Sequence, residues 1–346
     1  MATLLTAVPA AAVTAGPSGA PRPATVRTAA VPARAPSCDP RRAGPSPSRV
    51  DGEAVRRIRE RGHLIAGVDL NSYLWASLDQ DAQEPVGFDV DLVRAIARDI
   101  LGPKATVRFV SMPPSQRIPR LQARQVDVIV RTMSITCERL AEVAFSSVYF
   151  ETGHRLLVPE GSRITGFDAK LRGKRVCLSK GSSAVALLGS SGTGAVAVET
   201  SSHLDCLVEL QQGAVDAILT HATLAAGLAA QDPTLRLVGP RLDTSLYGVA
   251  MNKDDTDLVR RVNAILEDYR AGGAGSPWMV SYNRWLAPTL GAHPGVRRRP
   301  STPTDPTVPA HRGEARPVSQ PLNGAGRSGE ASARACATAS APARRP

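Results

Sequence analysis

Aromatic residues are scarce in this 346-residue chain, at 4%, and all thirteen lie between Tyr73 and Trp285. Residues 1–50 and 291–346 have none, and they hold 18 of the 28 prolines. Such segments cannot bury enough apolar surface to offset chain entropy. No apolar run reaches the roughly 18 residues needed to cross a bilayer as a helix, so the sequence offers no candidate span. There is no Cys-x-x-Cys and no histidine cluster at metal spacing, which excludes the usual zinc frameworks and gives no reason to expect a metal or other cofactor. The glycine-rich GSSGTG at 189–194 follows a helical run instead of a strand. It also lacks the lysine of a phosphate-binding loop.

Net charge is likewise absent from the middle of the chain. Residues 51–290 carry 27 Lys and Arg against 27 Asp and Glu, so the formal +11 lies in the flanks, +5 in residues 1–50 and +6 in 291–346. Basic flanks without interleaved aromatics do not make a nucleic-acid platform, and no nucleic-acid partner is expected. The reading is a disordered Pro/Ala/Arg-rich segment over 1–50, a folded unit over 51–290 and a disordered basic tail over 291–346. The first residues, MATLLTAVPAAAVTAG, resemble the apolar part of an export signal but lack a preceding Lys or Arg. They read as a degenerate or truncated signal. Cys38 could carry a lipid anchor, although the proline in APSC speaks against it.

The middle repeats one pattern. Residues 63–69, 105–110 and 126–130 read as strands, with helices over 87–102 and 115–125 between them. In the first of these helices Phe88, Leu92, Val93, Ile96 and Ile100 recur at helical spacing. The pattern starts again at 154–160, with strands at 173–179, 194–200, 215–220 and 235–239 and helices between them. A strand at 246–251 and two terminal helices follow. Alternating strands and helices imply an α/β fold. Here there are two such units, lobe 1 over 51–153 and lobe 2 over 154–246, with 247–290 returning to lobe 1. Two crossings, near 150–154 and 244–248, would form the hinge.

Open α/β sheets bind ligands beyond the carboxyl ends of their strands. The segments there are Asp69 to Trp75, 111–117, Arg131 to Arg139, Ser179 to Ser183, and Thr220 with His221. They are cationic and rich in hydroxyls. They hold one obvious carboxylate, Asp69, and no nucleophile–base pair. Arg139 falls in the first turn of a helix, where the helix dipole disfavours a cation. A bound anion would resolve that conflict.

The segments GVDLNSYLW, GFDVDLVRAIA, RIPRLQ, VDVIVRTMSITCER, VAFSSVYFETG, GKRVCLSKGSS, DCLVELQQG, VDAILTHATLAAGLAAQDP and LYGVAMNK occur in order across 51–290. Together they resemble the extracytoplasmic solute-binding proteins of ABC amino-acid importers, family 3, and most of all the actinobacterial glutamate-binding group. The resemblance implies a two-lobed periplasmic-binding-protein fold of type II that closes on an acidic or polar amino acid, or a dicarboxylate. It implies delivery to the permease subunits of an ABC importer at the cell surface, by a monomeric protein that is not an enzyme. The alternatives are a ligand sensor and an exported prephenate/arogenate dehydratase, which share the fold.

It also assigns roles. Arg139 would take the ligand α-carboxylate, in the bidentate geometry that suits guanidinium. Ser134 would bind the same group. The Thr132 carbonyl would accept from the ligand ammonium, and Ser182 and Ser183 would close over it from lobe 2. Arg117 and Arg131 are candidates for a side-chain carboxylate. Asp69 is a capping or pairing residue before it is a ligand contact, and Tyr73 and Trp75 are either cleft wall or packing. His221 stands where the family has an acid for the ammonium, which predicts either weak glutamate binding that strengthens between about pH 5.5 and 8 as the imidazole loses its proton, or a preference for a ligand without an α-ammonium, such as a dicarboxylate. Cys177 and Cys206 read locally as either buried thiols or a pair, and the resembling group carries cysteines at both positions, which implies a disulfide. Cys137 could pair with Cys38, leaving Cys336 free.

Overall fold

A computed structural model describes residues 38–42, 44–79 and 81–291. The expected export signal, the basic tail and Cys336 lie outside the described residues.

Ten strands, introduced in chain order, build two five-stranded sheets. They are β1 (His63–Val68), β2 (Thr106–Ser111), β3 (Val128–Ile129), β4 (Ala144–Phe145), β5 (His154–Pro159), β6 (Arg175–Ser179), β7 (Val196–Thr200), β8 (Ala217–His221), β9 (Leu235–Val238) and β10 (Ala250–Met251). The lobe 1 sheet has the order β2-β1-β3-β10-β4, and the lobe 2 sheet has the order β7-β6-β8-β5-β9. β1 runs parallel to β2 and β3, and β6 parallel to β7 and β8. β10 is antiparallel to β3 and β4, and β5 is antiparallel to β8 and β9. The chain therefore has the two-lobed α/β architecture, with β10 and the last helices back in lobe 1.

The helices are α1 (Glu53–Arg61), α2 (Phe88–Leu101), α3 (Arg117–Gln122), α4 (Cys137–Glu142), α5 (Ser183–Gly189), α6 (His203–Gln211), α7 (Ala222–Gln231), α8 (Thr256–Arg270) and α9 (Pro277–Trp285). α2 buries the apolar face read from its spacing, Phe88, Leu92, Val93, Ile96 and Ile100. Each such side chain contributes about 1.5–3 kcal/mol gross.

The crossings are two short strands, Phe150–Thr152 and Ser245–Tyr247, paired antiparallel. They approach so closely beyond Thr152 that a Cβ on Gly153 would sit 2.1 Å from the Asp243 carbonyl oxygen. On the lobe 1 side the ring of Trp75 meets both Phe150 and Tyr247 edge-on, at 5.0 and 5.6 Å between centroids. Cys177, in β6, is bonded to Cys206 at the start of α6, with Cα atoms 5.6 Å apart.

The described part of the N-terminal flank corrects the composition-based boundary at 50. Residues 38–42 and 44–50 are laid along lobe 1. Ser48 N–H donates to the Arg260 carbonyl at 3.1 Å, Asn263 donates to the Pro45 carbonyl at 2.7 Å, and Arg261 donates to the Arg49 carbonyl at 2.6 Å. Arg49 pairs with Asp99 and Asp268. Cys38 is bonded to Cys137, so its sulfur is not available for a lipid thioether. An arm without an apolar face is held here by α8 side chains that bond its backbone, a device to which composition is blind.

Candidate functional site

Between the lobes lies a narrow cavity of about 10 Å³, lined by residues of both. Its lobe 1 side begins at the end of β3. Thr132 there has φ +41°, an outlier for a β-branched residue. The buried Asp89 holds it by accepting its N–H at 3.0 Å, and strain of this kind costs on the order of 1–3 kcal/mol. Asp89 also accepts from the Tyr149 hydroxyl at 2.9 Å. Burial outweighs these bonds and raises its carboxyl to about 7.

Three arginines reach the cavity. Arg131 spends one terminal nitrogen on Asp69, at 2.6 Å. Asp69 in turn accepts from Ser72 and the Asn71 N–H, and it does not line the cavity. Asp69 is thus the pairing residue, and Arg131 is the cation it neutralises. Arg117 and Arg139 have no carboxylate bond among the described residues. Arg117 donates to the carbonyls of Pro114 at 3.0 Å, Arg131 at 3.4 Å and Gly181 at 3.1 Å. Arg139 donates to the carbonyls of Ser134 at 2.8 Å and Gly181 at 3.1 Å. Burial, with Arg139 and Arg131 nearby, lowers the Arg117 pKa well below the usual range, and burial brings Arg139 down to about 10.

Lobe 2 supplies the loop after β6 and the end of β8. Ser182 is the N-cap residue of α5 and Ser183 follows it. The Ser183 hydroxyl lies 3.4 Å from Ser134 Oγ, 3.1 Å from His154 Nε2 and 3.3 Å from His221 Nε2. His154 Nδ1 is bonded to Asp243 at 2.8 Å. That bond holds a proton on Nδ1. His221 Nδ1 lies 2.7 Å from the Tyr247 hydroxyl, and its Nε2 also lies 3.2 Å from Ser134 Oγ. Burial first, then His154, His203, Arg139 and Arg117, hold His221 well below the ordinary histidine pKa. Burial thus favours the neutral imidazole and opposes the pH dependence expected from its titration.

Arg139, Ser134, Thr132, Ser182, Ser183, His221, Arg117 and Arg131 thus line one cavity. Tyr73 and Trp75 do not. Trp75 is fully buried among Phe88, Phe150 and Tyr247, in the lobe 1 core. Tyr73 is 45% exposed and borders a separate groove with Leu204, Gln231 and Trp285. The turn after β1 carries both residues away from the strand end, so their nearness in sequence to Asp69 misleads.

Two cavity histidines were missed from the sequence, His154 because the strand-end rule does not reach it and His203 although it follows a parallel strand. His154 begins a strand, but β5 is antiparallel to β8, so its first residue is in register with His221, the last residue of β8. His203 follows β7 and opens α6. Burial, then Arg131, lowers its pKa to about 4. Three buried polar atoms of the cavity walls, Arg131 Nε, Ser182 Oγ and His203 Nδ1, have no hydrogen-bond partner among the described residues. Buried polar atoms are rarely left so.

The sequence pattern of the bacterial extracellular solute-binding proteins, family 3, matches residues 64–286. The chain belongs to this family. Among family 3 relatives, the ABC transporter glutamine-binding protein GlnH of Bacillus subtilis is 31% identical over 234 residues, 68% of this chain and 85% of that protein. The glutamate-binding protein GluB of Corynebacterium efficiens is 32% identical over 216 residues, 59% of this chain and 71% of its own. A crystal structure of a mutant of ArgBP from T. maritima superposes with a TM-score of 0.63 at 30% identity, covering 68% of this chain and 100% of that one. These family 3 relatives are named as binding proteins, and the chain shares their two-lobed fold.

Proposed function

We propose that the chain is the capture component of an ABC importer for a small acidic solute, glutamate-like in size and in its carboxylates. The observation that carries this reading is the pair Arg117, buried in the cleft, and Arg139, half-buried beside it, which among the described residues donate only to carbonyl oxygens. A buried guanidinium without a counter-ion is costly, and a solute carboxylate supplies the missing charge. Arg139 takes one carboxylate through its fork, beside Ser134, while Ser182 and Ser183 close from lobe 2. The solute favours the closed arrangement because it bonds groups of both lobes at once. Closure about the paired crossings then presents the joined lobes to the permease outside the membrane.

Calorimetric titration of the full chain with glutamate, aspartate, glutamine, arginine and matching dicarboxylates tests the reading. Saturable binding of an acidic member, and loss of it in Arg139→Ala, is expected. Binding of arginine in preference to every acidic solute would overturn it.

A further inference from the structure

We infer that the solute is a dicarboxylate bearing a keto or hydroxyl oxygen, and no ammonium, on the carbon next to the carboxylate held by Arg139. This rests on the capture of an acidic solute proposed above. It comes from a census of what the cavity walls offer.

Charge is the first count. Three guanidiniums reach the cavity, and Asp69 balances one of them. None of the described side chains lining the cavity is a carboxylate. Asp243 faces His154 and Asp89 lies beneath Thr132, outside the lining. Two positive charges therefore remain, and a dianion matches them. A solute with an added ammonium would carry one unit less and would bring a third cation beside two that already oppose each other.

Hydrogen-bond direction is the second count. The main-chain carbonyls of Pro114, Arg131, Ser134 and Gly181 each already accept from an arginine, and Gly181 from both. At His221 the 2.7 Å contact joins a phenol to an imidazole nitrogen. A phenol is the more acidic of the two, so its O–H donates to Nδ1 and leaves the proton of the neutral ring on Nε2. That N–H points at Ser134 Oγ and Ser183 Oγ. It is a donor at the cavity wall, shared between two hydroxyls that a solute oxygen would displace, beside the residue whose carbonyl anchors Arg139. A carboxylate on the Arg139 fork places its neighbouring carbon there. An oxygen on that carbon accepts from His221, whereas an ammonium would meet N–H against N–H.

Glutamate and 2-oxoglutarate share a carbon skeleton and both carboxylates and differ at this carbon alone, so they form the test pair. Calorimetry on the full chain at neutral pH should give 2-oxoglutarate the tighter binding by about two- to tenfold, the worth of one neutral hydrogen bond. Equal or tighter binding of glutamate would overturn the inference and leave the acidic-solute reading in place. Binding of neither, nor of any dicarboxylate, would remove both. His221→Asp, with folding checked by circular dichroism, should reverse the preference toward glutamate. An unchanged ratio in that variant would show that His221 does not face this carbon, and would also overturn the inference.

Discussion

Arg117 and Arg139, both from lobe 1, donate to one acceptor of lobe 2, the carbonyl oxygen of Gly181, each at 3.1 Å. Two like charges converge on a single neutral oxygen. That arrangement joins the lobes and marks where an anion belongs. Replacing Arg139 by Ala should weaken solute binding about ten- to a hundredfold or more, since a hydrogen bond to a charged group is worth about 1.5–3 kcal/mol. Arg139→Lys should recover little, because it keeps the charge and loses the planar fork. Calorimetry on the three proteins checks both statements.

Gly181 itself gives a second prediction. Its φ is +78°, and a Cβ there would lie 2.7 Å from Ser115 Cα and 2.9 Å from Ser115 N, across the cleft. Gly181→Ala should therefore wedge the lobes apart while leaving each lobe's core intact. Affinity should fall about tenfold or more, given that the left-handed conformation alone costs roughly 1–2 kcal/mol for an L-residue. A larger radius of gyration by small-angle scattering, in the presence of solute, would confirm the wedge. Unchanged affinity and radius would contradict it.

Losing residues 38–50 should lower the melting temperature. The arm's ion pairs are largely exposed and are worth about 0–1 kcal/mol each, but the Cys38–Cys137 bond closes a separation of 99 residues. Chain entropy assigns a loop of about 100 residues roughly 4.7 kcal/mol. A chain beginning at Asp51 should melt several degrees below one beginning at Cys38, by calorimetry under oxidising conditions. Adding reductant should remove part of that difference. Coincident melting would show that the arm adds nothing.

Acid stability should show two opposed contributions. His203 is held down to about 4 by burial. A depressed base contributes stability that is full above the unfolded histidine value of about 6.5 and is lost as pH falls toward 4. His203→Gln should thus flatten the decline in Tm over that interval. Asp89 is raised to about 7 by burial, so its contribution is full below the unfolded value and is lost as pH rises through 7. The Tm deficit of Asp89→Asn relative to the parent should accordingly shrink between pH 4 and 8. Thermal melts of the three proteins across this range decide both signs.

Hydrophobic periodicity made α2 legible, and alternation of element types made the two lobes legible. The strand read over 126–130 is only Val128–Ile129 in the sheet, although the Asp127 and Val130 N–H groups still donate to the Ile65 and Gly67 carbonyls, and the Asp127 side chain pairs with Arg61 and accepts the Ile65 N–H. The strand read over 246–251 divides at Gly248, one part pairing with the other crossing and the other part, β10, entering the lobe 1 sheet. Most of the site was readable because parallel strands bring their carboxyl ends to one edge. His154 was not, since the reversed direction of β5 is a property of the assembled sheet. Trp75 failed for a related reason: a turn of a few residues can send a side chain into the core as readily as into a cleft, and nothing local distinguishes them.

The aromatic contacts of Trp75 with Phe150 and Tyr247 have a kinetic consequence. Both crossing strands are bolted by their rings to lobe 1, so bending is confined to the lobe 2 side, at Gly153 and the Asp243 turn. Tyr247 also reaches across that pivot, with its hydroxyl bonded to His221 and 3.4 Å from Thr223. Each opening must part these bonds before the cleft widens. On the proposed capture function the phenol is a latch on the door, expected to set how long a captured molecule dwells more than how quickly one enters.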